Sequence, residues 1–206
     1  MKVAANMGNS EKFRLILAST SIYRRDLLTR LGIPFEVISP QVDETPLVGE
    51  STLDLVLRLA HAKAFAVGQS HPEAWVIGSD QVADLCGAAI GKPGNFERAL
   101  AQLQLMRGAT VTFHTALCLM HGAEAKTINI PTAVRFRKLS DEVLTAYLLT
   151  EKPYDCAGSA KSEGLGISLL ETIQSDDPTA LIGLPLIALT GLLRDAGFSI
   201  PPAMQD

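Results

Sequence analysis

Two long stretches of alternating apolar residues, Thr110 to Met120 and Thr127 to Phe136, flank the polar segment His121–Lys126. Side chains along a strand alternate between faces, so this pattern describes two half-buried strands paired antiparallel across the intervening turn. A chain with such a hairpin cannot build a purely parallel sheet. Elsewhere short apolar runs alternate with helical periodicity. The expected class is therefore α/β, with a mixed, twisted sheet flanked by helices.

The short runs place the remaining elements. Phe13 to Ala18 reads as a buried strand, followed by Ser19-Thr20-Ser21 and a helix from Tyr23 to Leu31 that Gly32 closes. Phe35 to Ile38 reads as a second strand, leading into the acidic pair Asp43-Glu44. Ser51 with Asp54 makes a helix cap, and Leu53, Val56, Leu57, Ala60, Ala64 and Val67 recur at helical spacing behind it. That stripe puts Arg58, His61 and Lys63 off the apolar face or at its edge. Trp75 to Ile77 is a third strand that ends in Gly78-Ser79-Asp80-Gln81; Val82 to Ile90 is a short hairpin delivering Gly91-Lys92-Pro93 in a tight turn. Helices are expected from Asn95 through Arg107, after Ser140, and from Pro185 to Gly197, with an irregular glycine-rich segment over Gly158–Gly166. No repeat or linker divides the chain, so one domain is expected over residues 13–200, with a lead-in over 1–12 and a tail over 201–206.

Apolar residues make up 47% and charged residues 19%, which permits a sizeable core. The net charge of −4 argues against a nucleic-acid groove, yet a few converging cations still make a phosphate pocket. Cys86, Cys118 and Cys156 are odd in number and widely spaced, and with the four histidines they form no metal-ligand or disulfide motif. A reducing, cytoplasmic setting is expected. No run approaches the roughly 20 apolar residues of a membrane span, and the first residues lack the apolar stretch of a signal peptide.

Polar residues just past the ends of apolar strands are where open α/β sheets bind ligands. Ser19-Thr20-Ser21 with Tyr23, Arg24 and Arg25 offers hydroxyls, free backbone N–H groups and guanidinium charge for phosphate. Asp80 is an acid able to hold a divalent cation or deprotonate a water. Lys92, Lys63 and the Asp43-Glu44 pair add cations and carboxylates. Each alone reads equally as a cap, a turn or a surface charge; together they suit a triphosphate and a bound cation.

The motifs LILASTSIYRRDLL, VDETP, RLAHAKA, VIGSDQV, GKP, YDCAGSAKSEGLGI and LIGLPLIAL, in this order from about Leu15 to Gly197, resemble the Maf-like nucleotide pyrophosphatases. The resemblance implies two lobes around a deep cleft, a homodimer, a divalent cation (Mg²⁺ or Mn²⁺), and hydrolysis of nucleoside triphosphates to monophosphate and pyrophosphate. It carries phosphate binding to Ser21, Arg24, Lys63 and Lys92, metal binding to Glu44 and Asp80, and the catalytic base to Asp80. Ile22 stands where the family usually has proline, which implies a less rigid loop. A branch acting on 7-methyl-GTP carries an aromatic, a glutamine and a glutamate at base-facing positions, and Tyr23, Gln81 and Glu163 resemble that set. N7-methylation makes guanine cationic, which an aromatic face attracts, and a carboxylate accepts from guanine N1–H and its amine. The alternatives left open are a dTTP/UTP or broad-range pyrophosphatase and a nucleotide-binding division regulator with little turnover.

Overall fold

The structure, a computed structural model, describes residues 14–202. The lead-in expected over residues 1–12, and residues 203–206 of the expected tail, lie outside the described residues. The hairpin forms as the alternation requires, from β5 (Thr110–His121) and β6 (Glu124–Phe136). Their pairing runs from Thr110–Arg135 to His121–Glu124. The turn is shorter than the polar segment suggested, because Gly122 adopts φ 57° and reverses the chain at once.

Around this hairpin lie β1 (Leu15–Ala18), β2 (Glu36–Ile38), β3 (Trp75–Leu85), β4 (Ala88–Ile90) and β7 (Leu170–Ser175). The seven strands make one sheet in the order β2-β1-β3-β5-β6-β7, with β4 on β3. β1 runs parallel to both β2 and β3, and the other pairings are antiparallel. The sheet is mixed, as the hairpin demanded. β7 follows the glycine-rich segment and was not foreseen; its residues alternate too weakly, with four of six exposed.

One correction governs the site. The third strand does not stop at Ile77 but continues to Leu85, so Asp80 lies inside β3 rather than in a turn beyond it. Glycine and three polar residues hide this continuity, because their burial comes from neighbours and not from hydrophobicity. On one edge, β3 pairs with β1 over residues 75–78 and with β4 over 83–85. Between them, from Ser79 to Val82, that edge has no strand partner.

The helices are α1 (Ile22–Thr29), α2 (Thr52–Gly68), α3 (Phe96–Met106), α4 (Asp141–Glu151) and α5 (Leu186–Asp195). Ser51 Oγ accepts from Asp54 N and Asn95 Oδ1 from Arg98 N, as N-caps do. Ser140 precedes α4 but makes no side-chain cap bond. The α2 stripe is rotated from the expected one. Leu53 is 39% exposed, whereas Thr52, Leu55, Val56, Leu59, Ala60, Lys63, Ala64 and Val67 are buried. Lys63 therefore sits in the middle of the buried face. The helix reaches the sheet at Gly78, where an added Cβ would lie 2.1 Å from Ala60 O and 2.7 Å from Ala64 N. One core forms between α2 and its face of the sheet. On the opposite face, by the alternation of β3 and β5, a cluster with α1 and α5 and another with α3 and α4 cover different ends.

Candidate active site

A cleft of about 630 Å³ opens where the β3 edge is unpaired. Ser21, Arg24, Glu44, Lys63, Asp80 and Lys92 line it, and so do Tyr23, Gln81 and Glu163. All nine residues assigned through the resemblance thus meet in one cavity, whereas Arg25 and Asp43 do not line it.

At one end β1 gives way to α1. Ser21 is the N-cap, its Oγ accepting from Arg24 N at 3.4 Å, while Ser19 Oγ accepts from Ser21 N at 3.1 Å. Ile22 is the first helical residue, a position where proline's missing N–H would cost nothing. Arg24 turns back into the cleft, its Nε donating to Gly183 O at 2.8 Å. Burial pulls its guanidinium below the ordinary value, and the fields of Asp80 and Glu44 work the other way.

The centre is an ionic bridge. Lys63 Nζ lies 2.6 Å from Asp80 Oδ1 and 2.6 Å from Glu44 Oε1. Lys63 is 6% exposed and Asp80 8% exposed, whereas the Glu44 side chain faces solvent. Burial opposes the Glu44 charge, but the bond and field of Lys63, with Lys92 and Arg24, prevail and hold its carboxyl below the usual range. Asp43, its neighbour, points elsewhere and caps Thr45 N at 2.9 Å. The segment carrying Glu44 is fastened to α2 by Arg58, whose Nε and Nη2 donate to Glu50 at 2.6 and 2.8 Å and whose Nη2 also reaches Thr45 O at 3.2 Å. Lys92 follows β4 in an exposed segment of no regular structure rather than in the expected tight turn.

Glu44 and Asp80 are hard oxygen donors, which suit Mg²⁺ or Mn²⁺ rather than thiolate-seeking ions. No group of three or more His, Cys, Asp or Glu converges on a metal position among the described residues. The donor set therefore fits an ion completed by substrate phosphates and water, and not one caged by the protein alone.

The remaining lining combines Tyr23 of α1 and Gln81 of β3 with residues of the irregular segments after α4. Tyr23 OH donates to Asp155 Oδ2 at 3.3 Å, and Lys161 Nζ stands 5.8 Å from the Tyr23 ring centroid. Gln81 is pinned through its amide nitrogen, which contacts Thr115 Oγ1 at 3.0 Å, Ala180 O at 2.9 Å and Leu181 O at 3.0 Å. Glu163 is exposed on the segment between the 3-10 turns Ala157–Ser159 and Leu165–Leu169. Glu151 of α4 anchors that segment, pairing with Lys161 Nζ at 3.0 Å and accepting from Leu165 N at 2.8 Å.

Sequence reading missed the residue that fixes these carbonyls. Asp177 is 2% exposed; its Oδ1 accepts from Thr179 N and Oγ1, and its Oδ2 from Ile187 N at 2.7 Å and Ala188 N at 3.2 Å. It ties the start of α5 to the turn Ala180–Ile182, whose neighbouring Gly183 O receives both Arg24 Nε and, at 3.0 Å, Ser79 Oγ. The signal was Asp177-Pro178-Thr179 ahead of an apolar helix, an acid positioned to take its first N–H groups.

An α/β sheet opened along one strand thus gathers the cations Arg24, Lys63 and Lys92 and an aromatic, an amide and a carboxylate in one cleft. The chain belongs to the Maf-like protein family, whose family model matches residues 14–196. It is 61% identical to a 7-methyl-GTP pyrophosphatase of Cupriavidus metallidurans over 93% of this chain and 98% of that protein. It is 59% identical to one of Ralstonia nicotianae, over 90% of this chain and 97% of that protein. It is 58% identical to one of Bordetella pertussis, over 89% and 92%.

Proposed function

We propose that this protein hydrolyses 7-methyl-GTP to 7-methyl-GMP and pyrophosphate. The observation that carries the reaction is the buried Lys63 ammonium shared by Glu44 and Asp80, with Arg24 and Lys92 beside it in one cleft. The names of the relatives and the Tyr23–Gln81–Glu163 set support the substrate.

The chemistry follows from that bridge. Arg24, Lys63 and Lys92 receive the phosphates, with the Ser21 hydroxyl at the start of α1. Phosphate oxygens entering the cleft compete for the Lys63 ammonium, and each that takes it releases a carboxylate oxygen. Asp80 then accepts a proton from a water attacking the α-phosphorus; the α-phosphorus–oxygen bond to the β-phosphate breaks, and pyrophosphate departs. Arg24 and Lys92 offset the charge that moves onto it. A magnesium or manganese ion, held by Glu44 and Asp80, supplies further neutralisation of the phosphates when bound. At the far end the Tyr23 face takes the cationic base, and Glu163 accepts from N1–H and the exocyclic amine, a donor pair that uracil and thymine lack. The three free cysteines are in keeping with a cytoplasmic protein, and no helix among the described residues is long and apolar enough to cross a membrane. A homodimer is proposed on the family resemblance.

Product analysis with magnesium and 7-methyl-GTP, GTP, UTP and dTTP tests this reading. Release of 7-methyl-GMP and pyrophosphate, with little from the pyrimidines, is expected. A pyrimidine preference would keep the reaction and discard the substrate. Binding without turnover in either magnesium or manganese would replace the enzyme by a nucleotide sensor.

A further inference from the structure

The base end of the cleft contains a carboxylate that the reaction above does not use. Asp155 lies on the rim beside Tyr23, and both of its oxygens are engaged. Oδ2 accepts from Tyr23 OH at 3.3 Å and Oδ1 from the Cys156 thiol at 3.6 Å. The same thiol lies 4.0 Å from the Tyr23 hydroxyl oxygen. Burial, followed by the charge of Asp155, pushes the Cys156 thiol up to about 12, so it remains a neutral donor to its neighbour. Carboxylate, phenol and thiol thus brace one another.

We propose that Asp155 is a specificity-determining residue, whose carboxylate, held between the Tyr23 hydroxyl and the Cys156 thiol, biases the base end of the cleft toward a positively charged base. This rests on the substrate reading above and deepens it. Charge is the first reason. Lys161, the cation over Tyr23, is paired with Glu151 at 3.0 Å, so its charge is locally balanced. With Glu151, Asp155 and Glu163 bring three carboxylates to the surroundings of this end, against the Lys161 ammonium that Glu151 and Glu163 share. A neutral purine gains little from them, whereas a base with a full positive charge is attracted by them, less strongly at an exposed rim than inside. Polarisation is the second. A phenol that donates to a carboxylate carries more electron density in its ring, and a richer ring holds a cation more firmly. Asp155 does both without touching the reacting phosphates, and it steadies the Tyr23 ring on which the base would stack.

The test is the ratio of kcat/KM for 7-methyl-GTP to that for GTP, in the wild type, Asp155→Asn and Asp155→Glu. Asparagine keeps the shape and removes the charge. The ratio should fall about tenfold in Asp155→Asn, because KM rises much further for 7-methyl-GTP than for GTP. Asp155→Glu should restore most of it. If both nucleotides lose efficiency equally, or if Asp155→Asn keeps the wild-type ratio, the assignment of Asp155 is overturned and the substrate reading stands. If the wild type itself does not prefer 7-methyl-GTP to GTP, the substrate reading falls and Asp155 falls with it.

Discussion

The two ends of the cleft are built in opposite ways. At the phosphate end the chief charges stand on a helix and a strand in direct contact, buried, and bonded to one another before any ligand arrives. At the base end Asp155 and Glu163 are exposed residues on irregular segments, Asp155 bonded to Tyr23 and the Glu163 segment anchored through Lys161 to Glu151. On the function proposed above, the difference follows from what each end would do. Charge transfer at phosphorus needs donors fixed to within a fraction of an ångström, which regular elements supply. Recognition of a ring needs a few groups that can be exchanged without disturbing the sheet, which turns supply.

The contrast can be broken first at Asp80. Asp80→Asn should lower kcat by roughly 10²–10⁴-fold while nucleotide affinity changes little, read by steady-state kinetics beside calorimetric titration. Near wild-type turnover would move the base elsewhere. Lys63→Met comes next, because it strands the buried Asp80 carboxylate. A loss of roughly 3–5 kcal/mol in urea unfolding is expected, together with loss of activity. Asp177→Ala strikes the base end through its support, freeing the turn that holds Gln81. A loss of about 1–3 kcal/mol is expected, with weaker base discrimination and, because the same turn leads to the Gly183 carbonyl that holds Arg24, a lower kcat/KM for every nucleotide.

A subtler probe is pH. The hydrogen bond from Arg58, then that from Leu47 N, hold the Glu50 carboxyl down to about 2, against an ordinary 4.5. A depressed carboxyl stabilises the fold above its unfolded value, and that contribution fades as pH falls through the folded one. The Leu47 amide resonance should therefore titrate near 2, and at a distinctly higher pH in Arg58→Gln, where only the Leu47 N bond still holds the carboxyl down and the segment bearing Glu44 is loosened. The smallest effect belongs to Ile22→Pro. At the first position of α1 proline should add about 0.4–1 kcal/mol of stability and leave kcat within about twofold.

Sequence patterns revealed the architecture where burial and hydrophobicity coincide. The hairpin β5–β6, the capped helix α3 and the final helix α5 all follow from periodicity and caps. The pattern misled where they part. Polar Asp80 and Lys63 are buried because each satisfies the other, so the strand looked too short and the helix face appeared rotated. The meeting of nine residues in one cleft was legible only through the resemblance, since nothing in spacing brings Glu44 to Lys63. Asp155 lay inside a recognised motif and Asp177 between two of them, and both went unassigned, because their roles depend on partners distant in the chain, Tyr23 for the former and the first turn of α5 for the latter.

Gly78 sets a dimension as well as permitting a contact. Where α2 crosses β3 the two main chains meet with no side chain between them, so the height of the Lys63 backbone above Asp80 is a fixed gauge rather than the outcome of soft packing. Compressing or warming the molecule would shift the methyl-lined layers on either side before it altered that gauge. A larger residue here would wedge the helix outward and lengthen the span from ammonium to carboxylate along with every other clearance in the cleft. The hydrogen atom at position 78 is, in that sense, the calibration of the catalytic apparatus.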